Sequence, residues 1–121
     1  RNYGLRAWRR GFDGVANWAY QFGQFQPDDP FSNQRQDFMY TYPTARGPLP
    51  TLRWEAFREG VDDVRYLTTL LASIEQARAD SSKRRAVRRA KRWLDEFDDV
   101  HGNLDVIRAT MVRHIEALLA P

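Results

Sequence analysis

Proline divides this chain into two unlike parts. Five of its six prolines (Pro27, Pro30, Pro43, Pro48 and Pro50) fall within residues 21–50, and the sixth is Pro121. Proline lacks a backbone donor and clashes with the preceding helical turn, so residues 21–50 cannot form one continuous helix. From Thr51 onward the block is lifted and the pattern turns helical. Phe57, Val61, Val64, Leu67, Leu71 and Ile74 recur in steps of three and four, which predicts a helix from Thr51, its N-cap, to about Ala79. Gly60 lies inside it, as a kink or a point of close packing, at a cost of about 1 kcal/mol against Ala. Asp80-Ser81-Ser82 is a capping cluster for a second helix, which carries Val87, Ala90, Leu94 and Phe97 on one face. His101-Gly102-Asn103 breaks it, and Asn103 caps a third helix with Leu104, Ile107, Met111, Ile115 and Leu118 inward.

The front half reads differently. Residues 2–11 predict a short helix with Tyr3, Leu5, Ala7 and Trp8 as its apolar side and Gly11 as its stop. Asp13-Gly14 signals a turn. Val15 to Tyr20 predict a strand buried on both faces, as in a parallel sheet, and Phe38–Tyr42 a second, brief one. Of the 16 aromatic residues, 13 lie within residues 1–57. Disordered linkers are poor in aromatics, so residues 21–50 are expected to be an ordered, packed loop. The chain opens at Arg1 with neither Met nor a signal-peptide pattern, and it is read as a piece of a longer protein.

Composition excludes several classes. At 121 residues the chain has the size of one domain. It has no cysteine, which removes disulfide scaffolds and thiolate metal sites. It has no apolar run of about 18 residues, so no membrane partner is expected. The net charge of +3 is mild, and 17 of the 19 basic residues are Arg, read mainly as codon bias. A basic cluster runs through Arg78, Lys83, Arg84, Arg85, Arg88, Arg89, Lys91 and Arg92. Arg84, Arg88 and Arg92 share one face, and Asp95, Glu96, Asp98 and Asp99 follow. The stretch is therefore read as a solvated two-signed helix, and no nucleic acid is expected as a partner. The sequence lacks a phosphate-binding glycine loop, a nucleophile elbow and a His pair with metal-ligand spacing. No cofactor and no metal are expected, and His101 and His114 are read as surface or partly packed residues.

Two groups of residues remain. Trp18 and Tyr20 point to one side of the expected strand, because strand side chains alternate. If that strand belongs to a barrel, its C-terminal end and the following loop build the site. This selects Trp18, Tyr20, Gln21, Asp37, Tyr40 and Tyr42 as a candidate sugar-binding set: rings for the apolar faces of a sugar, polar groups for its hydroxyls. Arg53, Glu55, Arg58, Glu59 and Asp63 follow on the helix. Arg53 stands near the helix N-terminus, where the dipole disfavours a cation, so a carboxylate partner is expected. Arg53, Glu55, Arg58 and Asp63 are expected to anchor the long loop. Adjacent helical residues point about 100° apart, so Asp62 and Asp63 do not share one small site and are otherwise read as solubilising or capping residues.

The run Trp8-Arg9, Asp13-Gly14-Val15-Ala16-Asn17-Trp18, Tyr42-Pro43 and Pro50-Thr51-Leu52-Arg53-Trp54-Glu55-Ala56-Phe57-Arg58-Glu59-Gly60-Val61-Asp62-Asp63-Val64-Arg65-Tyr66-Leu67 resembles the C-terminal region of bacterial proteins related to glycoside hydrolase family 123. The likeness covers about residues 3–75, and Arg53 to Leu67 is its specific part. It implies an α/β fragment, mostly helical: the last αβ unit of a (β/α)8 barrel with one or two short strands, then a C-terminal three-helix segment. Residues 1–79 would be the barrel part and 80–121 a helical tail. It also implies hydrolysis of N-acetylhexosaminides by an adjacent Asp-Glu pair, with the substrate's acetamido group as nucleophile. That pair would lie on an earlier strand; Asp95-Glu96 is not a match. The chain would then supply a wall of the sugar pocket, with carbohydrate as partner in the whole protein. The alternative is an interaction domain with an aromatic docking loop. A lone strand with open edges predicts self-association, or helices packed around Trp18.

Overall fold

The computed structural model describes residues 3–21 and 39–121. Asp37, Phe38 and most of the expected loop lie outside the described residues. Helix α1 (Tyr3–Arg9) ends at Gly11, which adopts the left-handed φ of 73° that favours glycine. An extended stretch follows. The strands β1 (Thr41–Tyr42) and β2 (Leu49–Pro50) form a small antiparallel hairpin pairing Thr41 with Pro50 and Tyr42 with Leu49. Three helices complete the chain: α2 (Leu52–Ala77), α3 (Arg84–Glu96) and α4 (Leu104–Leu119), with one 3-10 turn (Ser81–Lys83) before α3. The described residues are thus a mostly helical α/β arrangement. None of their helices is long and apolar enough to cross a membrane.

The caps fall where the side-chain chemistry directs. Thr51 Oγ1 accepts from Trp54 N, and Asn103 Oδ1 accepts from Asp105 N and Val106 N. The second cap starts α4 within a few residues of the end of α3, so the two helices turn back on each other. The α2 helix ends at Ala77, close to its expected limit.

One core joins all four helices. It comprises Leu5 of α1, Leu67, Leu70, Ile74 and Ala77 of α2, Val87, Ala90 and Leu94 of α3 with Phe97, and Ile107, Met111 and Leu118 of α4. The expected α2 stripe needs correction. Val61 and Leu71 are 44% and 38% exposed, while Leu70 is fully buried. The inward line runs Gly60, Asp63, Leu67, Leu70, Ile74, Ala77. Leu70 and Leu71 satisfy the same three-and-four spacing equally well. Only the position of α3 and α4, which the local pattern does not contain, selects Leu70.

The expected strand also needs correction. Val15, Trp18 and Tyr20 are 40%, 77% and 52% exposed, so Val15–Tyr20 is not a strand buried on both faces. Among the described residues its ladder is a single parallel bridge, Ala19 to Met39. A doubly covered strand needs a neighbour along each edge, and the described residues offer one. The helices do not pack around Trp18; their centre is Leu67, Leu70 and Met111.

The α1 helix crosses α2 at two glycines. A Cβ added to Gly4 would stand 2.4 Å from the Gly60 carbonyl oxygen and 2.7 Å from Val64 Cγ2. Gly60 is therefore a point of close packing between α1 and α2. Gly4→Ala is expected to lower stability by about 2 kcal/mol through overpacking, measurable as a lower urea midpoint at unchanged m.

Candidate functional site

The extended stretch is tied down at one residue. Tyr20 O accepts from Tyr40 N (3.1 Å), Thr41 N (3.0 Å) and Thr41 Oγ1 (3.2 Å). Tyr40 O in turn accepts from Thr51 N and Thr51 Oγ1, both at 2.9 Å. Thr51 thus caps α2 and clamps the strand beside it, which brings three separate segments to one edge.

That edge is aromatic. Trp54, on the first turn of α2, meets Tyr20 edge-on at 5.7 Å and Tyr40 at 5.6 Å. Phe57 stands one turn further along, 5.1 Å from Tyr40 and stacked at 6.4 Å on Trp54. Offset and edge-to-face pairs of this kind add about 0.5–1.5 kcal/mol each beyond their burial. Burial raises the Tyr40 phenol pKa above its ordinary value, with Tyr3 adding to the effect and the Arg53 charge opposing it. The Tyr40 ring is the backing of the edge. Tyr20 and Gln21 are its exposed front, Tyr42 is half-buried, and Trp18 projects furthest.

The sequence-selected sugar set is therefore brought together in part. Tyr20 and Tyr40 share one cluster through Trp54. Trp18 and Gln21 continue the exposed stretch, Tyr42 follows on β1, and Asp37 lies outside the described residues. Trp54 and Phe57 carry the family likeness but were not assigned to the site. The available signal was Trp54's position three residues after an N-cap, which places it beside whatever that cap holds.

The charged set is dispersed. Glu55 pairs with Arg58 and Asp62 with Arg65, each one turn apart and exposed on α2. Arg53 is exposed on the same turn as Trp54, and among the described residues no carboxylate pairs with it. Asp63 departs from the solubilising reading. Its side chain is fully buried, and Arg108 Nε of α4 donates to its Oδ1 at 2.7 Å. Arg108 Nη2 also donates to the Glu59 carbonyl oxygen at 2.9 Å and pairs with the Glu59 carboxylate at 2.8 Å. Asp63 thus ties α4 to α2. His101 is exposed beside Asp98, and His114 is half-buried against Trp93 with ring centres 5.4 Å apart. Both fit their surface or partly packed reading.

A groove of about 520 Å³ runs along α1 and α2, lined by Tyr3, Val15, Phe57, Val61 and Val64 among others. Its lining is almost wholly apolar, and it shares Phe57 with the aromatic edge.

Residues 1–70 match the family described as "Glycoside hydrolase 123, catalytic domain". No curated protein and no solved structure gives a significant match.

Proposed function

Because this chain belongs to the glycoside hydrolase 123 catalytic-domain family, we propose that its aromatic edge is one wall of a saccharide site for N-acetylhexosaminides, in the manner of the last unit of a barrel. The observation that carries this reading is Trp18, a large ring left 77% exposed on a stretch whose next anchor is the triply bonded Tyr20 carbonyl. Isolated exposed apolar residues are ordinary, but a ring of this size beside Tyr20 and Trp54 offers a flat apolar face to a pyranose ring. The phenols of Tyr20 and Tyr42 and the amide of Gln21 supply donors and acceptors for hydroxyls. Asp37 joins them on the sequence pattern alone. No catalytic carboxylate is assigned to this chain. The sole Asp-Glu step, Asp95-Glu96, stands at the end of α3, beyond the matched residues.

Tryptophan fluorescence titrated with N-acetylgalactosamine tests the wall. A response is expected in the parent chain. Trp18→Ala should weaken the affinity about tenfold, the loss of one stacked ring at about 1.4 kcal/mol. A response that is absent, or identical in the variant, overturns the reading. The apolar groove along α1 and α2 favours a second reading, an interaction domain. Under it the fluorescence ignores saccharide, and the elution volume in size-exclusion chromatography shifts with protein concentration.

A further inference from the structure

A second concavity lies far along the chain from the aromatic edge. The groove between the start of α3 and the end of α4 measures about 700 Å³, and its lining includes Lys83, Arg85, Arg89, Thr110, Arg113 and His114. Four of these are cations, and no Asp or Glu side chain is among them. Among the described residues Arg85, Arg89 and Arg113 have no salt bridge to a carboxylate, whereas Arg58 and Arg65 of α2 and Arg78 at its C-cap each have one. Lys83 reaches across from the head of α3 to donate to the Ala120 carbonyl oxygen, closing one end of the groove. Arg113 is steadied by a 2.8 Å bond to Thr110 Oγ1. All of this falls outside residues 1–70, so the family match does not account for it.

We propose that this groove binds a phosphate- or sulfate-bearing anion, gripped by Arg85, Arg89 and Arg113. The planar guanidinium fork pairs two N–H donors with two oxyanion oxygens, a geometry an ammonium does not offer. Three such forks around one concavity whose lining holds no Asp or Glu side chain concentrate positive potential where a multivalent anion would sit. Burial first, and then the charges of Arg89 and Arg113, lower the His114 pKa below its ordinary value. The two guanidinium groups are therefore near enough to the groove wall to act on the imidazole. The bland account of an arginine-rich helix is a solvated face. It covers Arg84 and Arg88, which do not line the groove, but not the convergence of α3 and α4 cations on one hollow.

The test uses the two histidines as reporters. Imidazole resonances are followed by NMR while inorganic pyrophosphate, or separately a disulfated heparin disaccharide, is added at constant ionic strength. His114 is expected to shift with saturation and His101, in the α3–α4 connection, to stay fixed. Arg89→Gln with Arg113→Gln should weaken binding by roughly tenfold or more for each guanidinium removed. Arg84→Gln with Arg88→Gln removes the same charge from outside the groove and should leave the affinity unchanged. Saturable binding of either probe with this pattern supports the site, and the probe that binds identifies the source of the anion. Equal shifts at both histidines, equal losses in both double variants, or no saturation with either probe overturns it. Both double variants are surface changes, and matching circular dichroism shows that each remains folded.

Discussion

Asp63→Ala is expected to cost about 3 kcal/mol of stability and to lower the thermal midpoint by about 10 °C. The side chain is fully buried and holds Arg108 Nε at 2.7 Å. Removing it strands a largely buried guanidinium, and that penalty exceeds the modest net gain from the pair itself. The loss stays at the lower end of the range for opening a buried pair because the Glu59 carboxylate remains 2.8 Å from Arg108 Nη2. Glu59→Ala removes a half-exposed partner and should cost under about 1 kcal/mol. Replacing both members, Asp63→Leu with Arg108→Met, should recover most of the deficit, since an apolar pair leaves no charge uncompensated. Urea unfolding of the three variants separates these outcomes. A loss for Asp63→Ala no larger than that for Glu59→Ala would show that the pair is not the tie between α2 and α4.

Leu70→Ala and Leu71→Ala should differ sharply despite being neighbours. Leu70 is fully buried within the joint core of α2, α3 and α4, so truncation leaves a cavity and costs about 2–5 kcal/mol. Leu71 is 38% exposed and should cost under about 1 kcal/mol. Equal effects would return the helix to the stripe that spacing alone predicts.

That pair also marks how far the sequence could be read. Local chemistry was legible. Thr51 and Asn103 cap the helices they were expected to cap, and α1 stops at Gly11, whose left-handed φ of 73° suits glycine. Val87, Ala90, Leu94, Ile107, Met111 and Leu118 face inward as their spacing implies. What the sequence could not settle depends on partners distant along the chain. A helix repeats every 3.6 residues, so two adjacent leucines fit one pattern, and only tertiary packing chooses between them. Asp63 looked like a surface acid because its partner lies 45 positions away. The Val15–Tyr20 stretch has the composition of an interior strand. Burial is conferred by neighbours, however, and one bridge to Met39 supplies few. The same limit applies to the candidate site. Of the residues selected around Trp18, Tyr20 and Tyr40 meet through Trp54, and the clamp that gathers them is a set of backbone bonds with no side-chain signature beyond Thr51.

Arg9 carries a final consequence. Its guanidinium donates to the carbonyl oxygens of Leu94, Asp95 and Phe97, lies 4.4 Å over the Phe97 ring and faces Asp99. A cation at the negative end of α3 satisfies carbonyls that the helix itself leaves unpaired. This contact closes a circuit of 85 residues or more. The chain-closure entropy must be met before any of those bonds form. The end of α3 is thus sealed only when the first helix has docked. Fraying of α1 will therefore be felt at the C-terminal end of α3, more than eighty residues further along the chain.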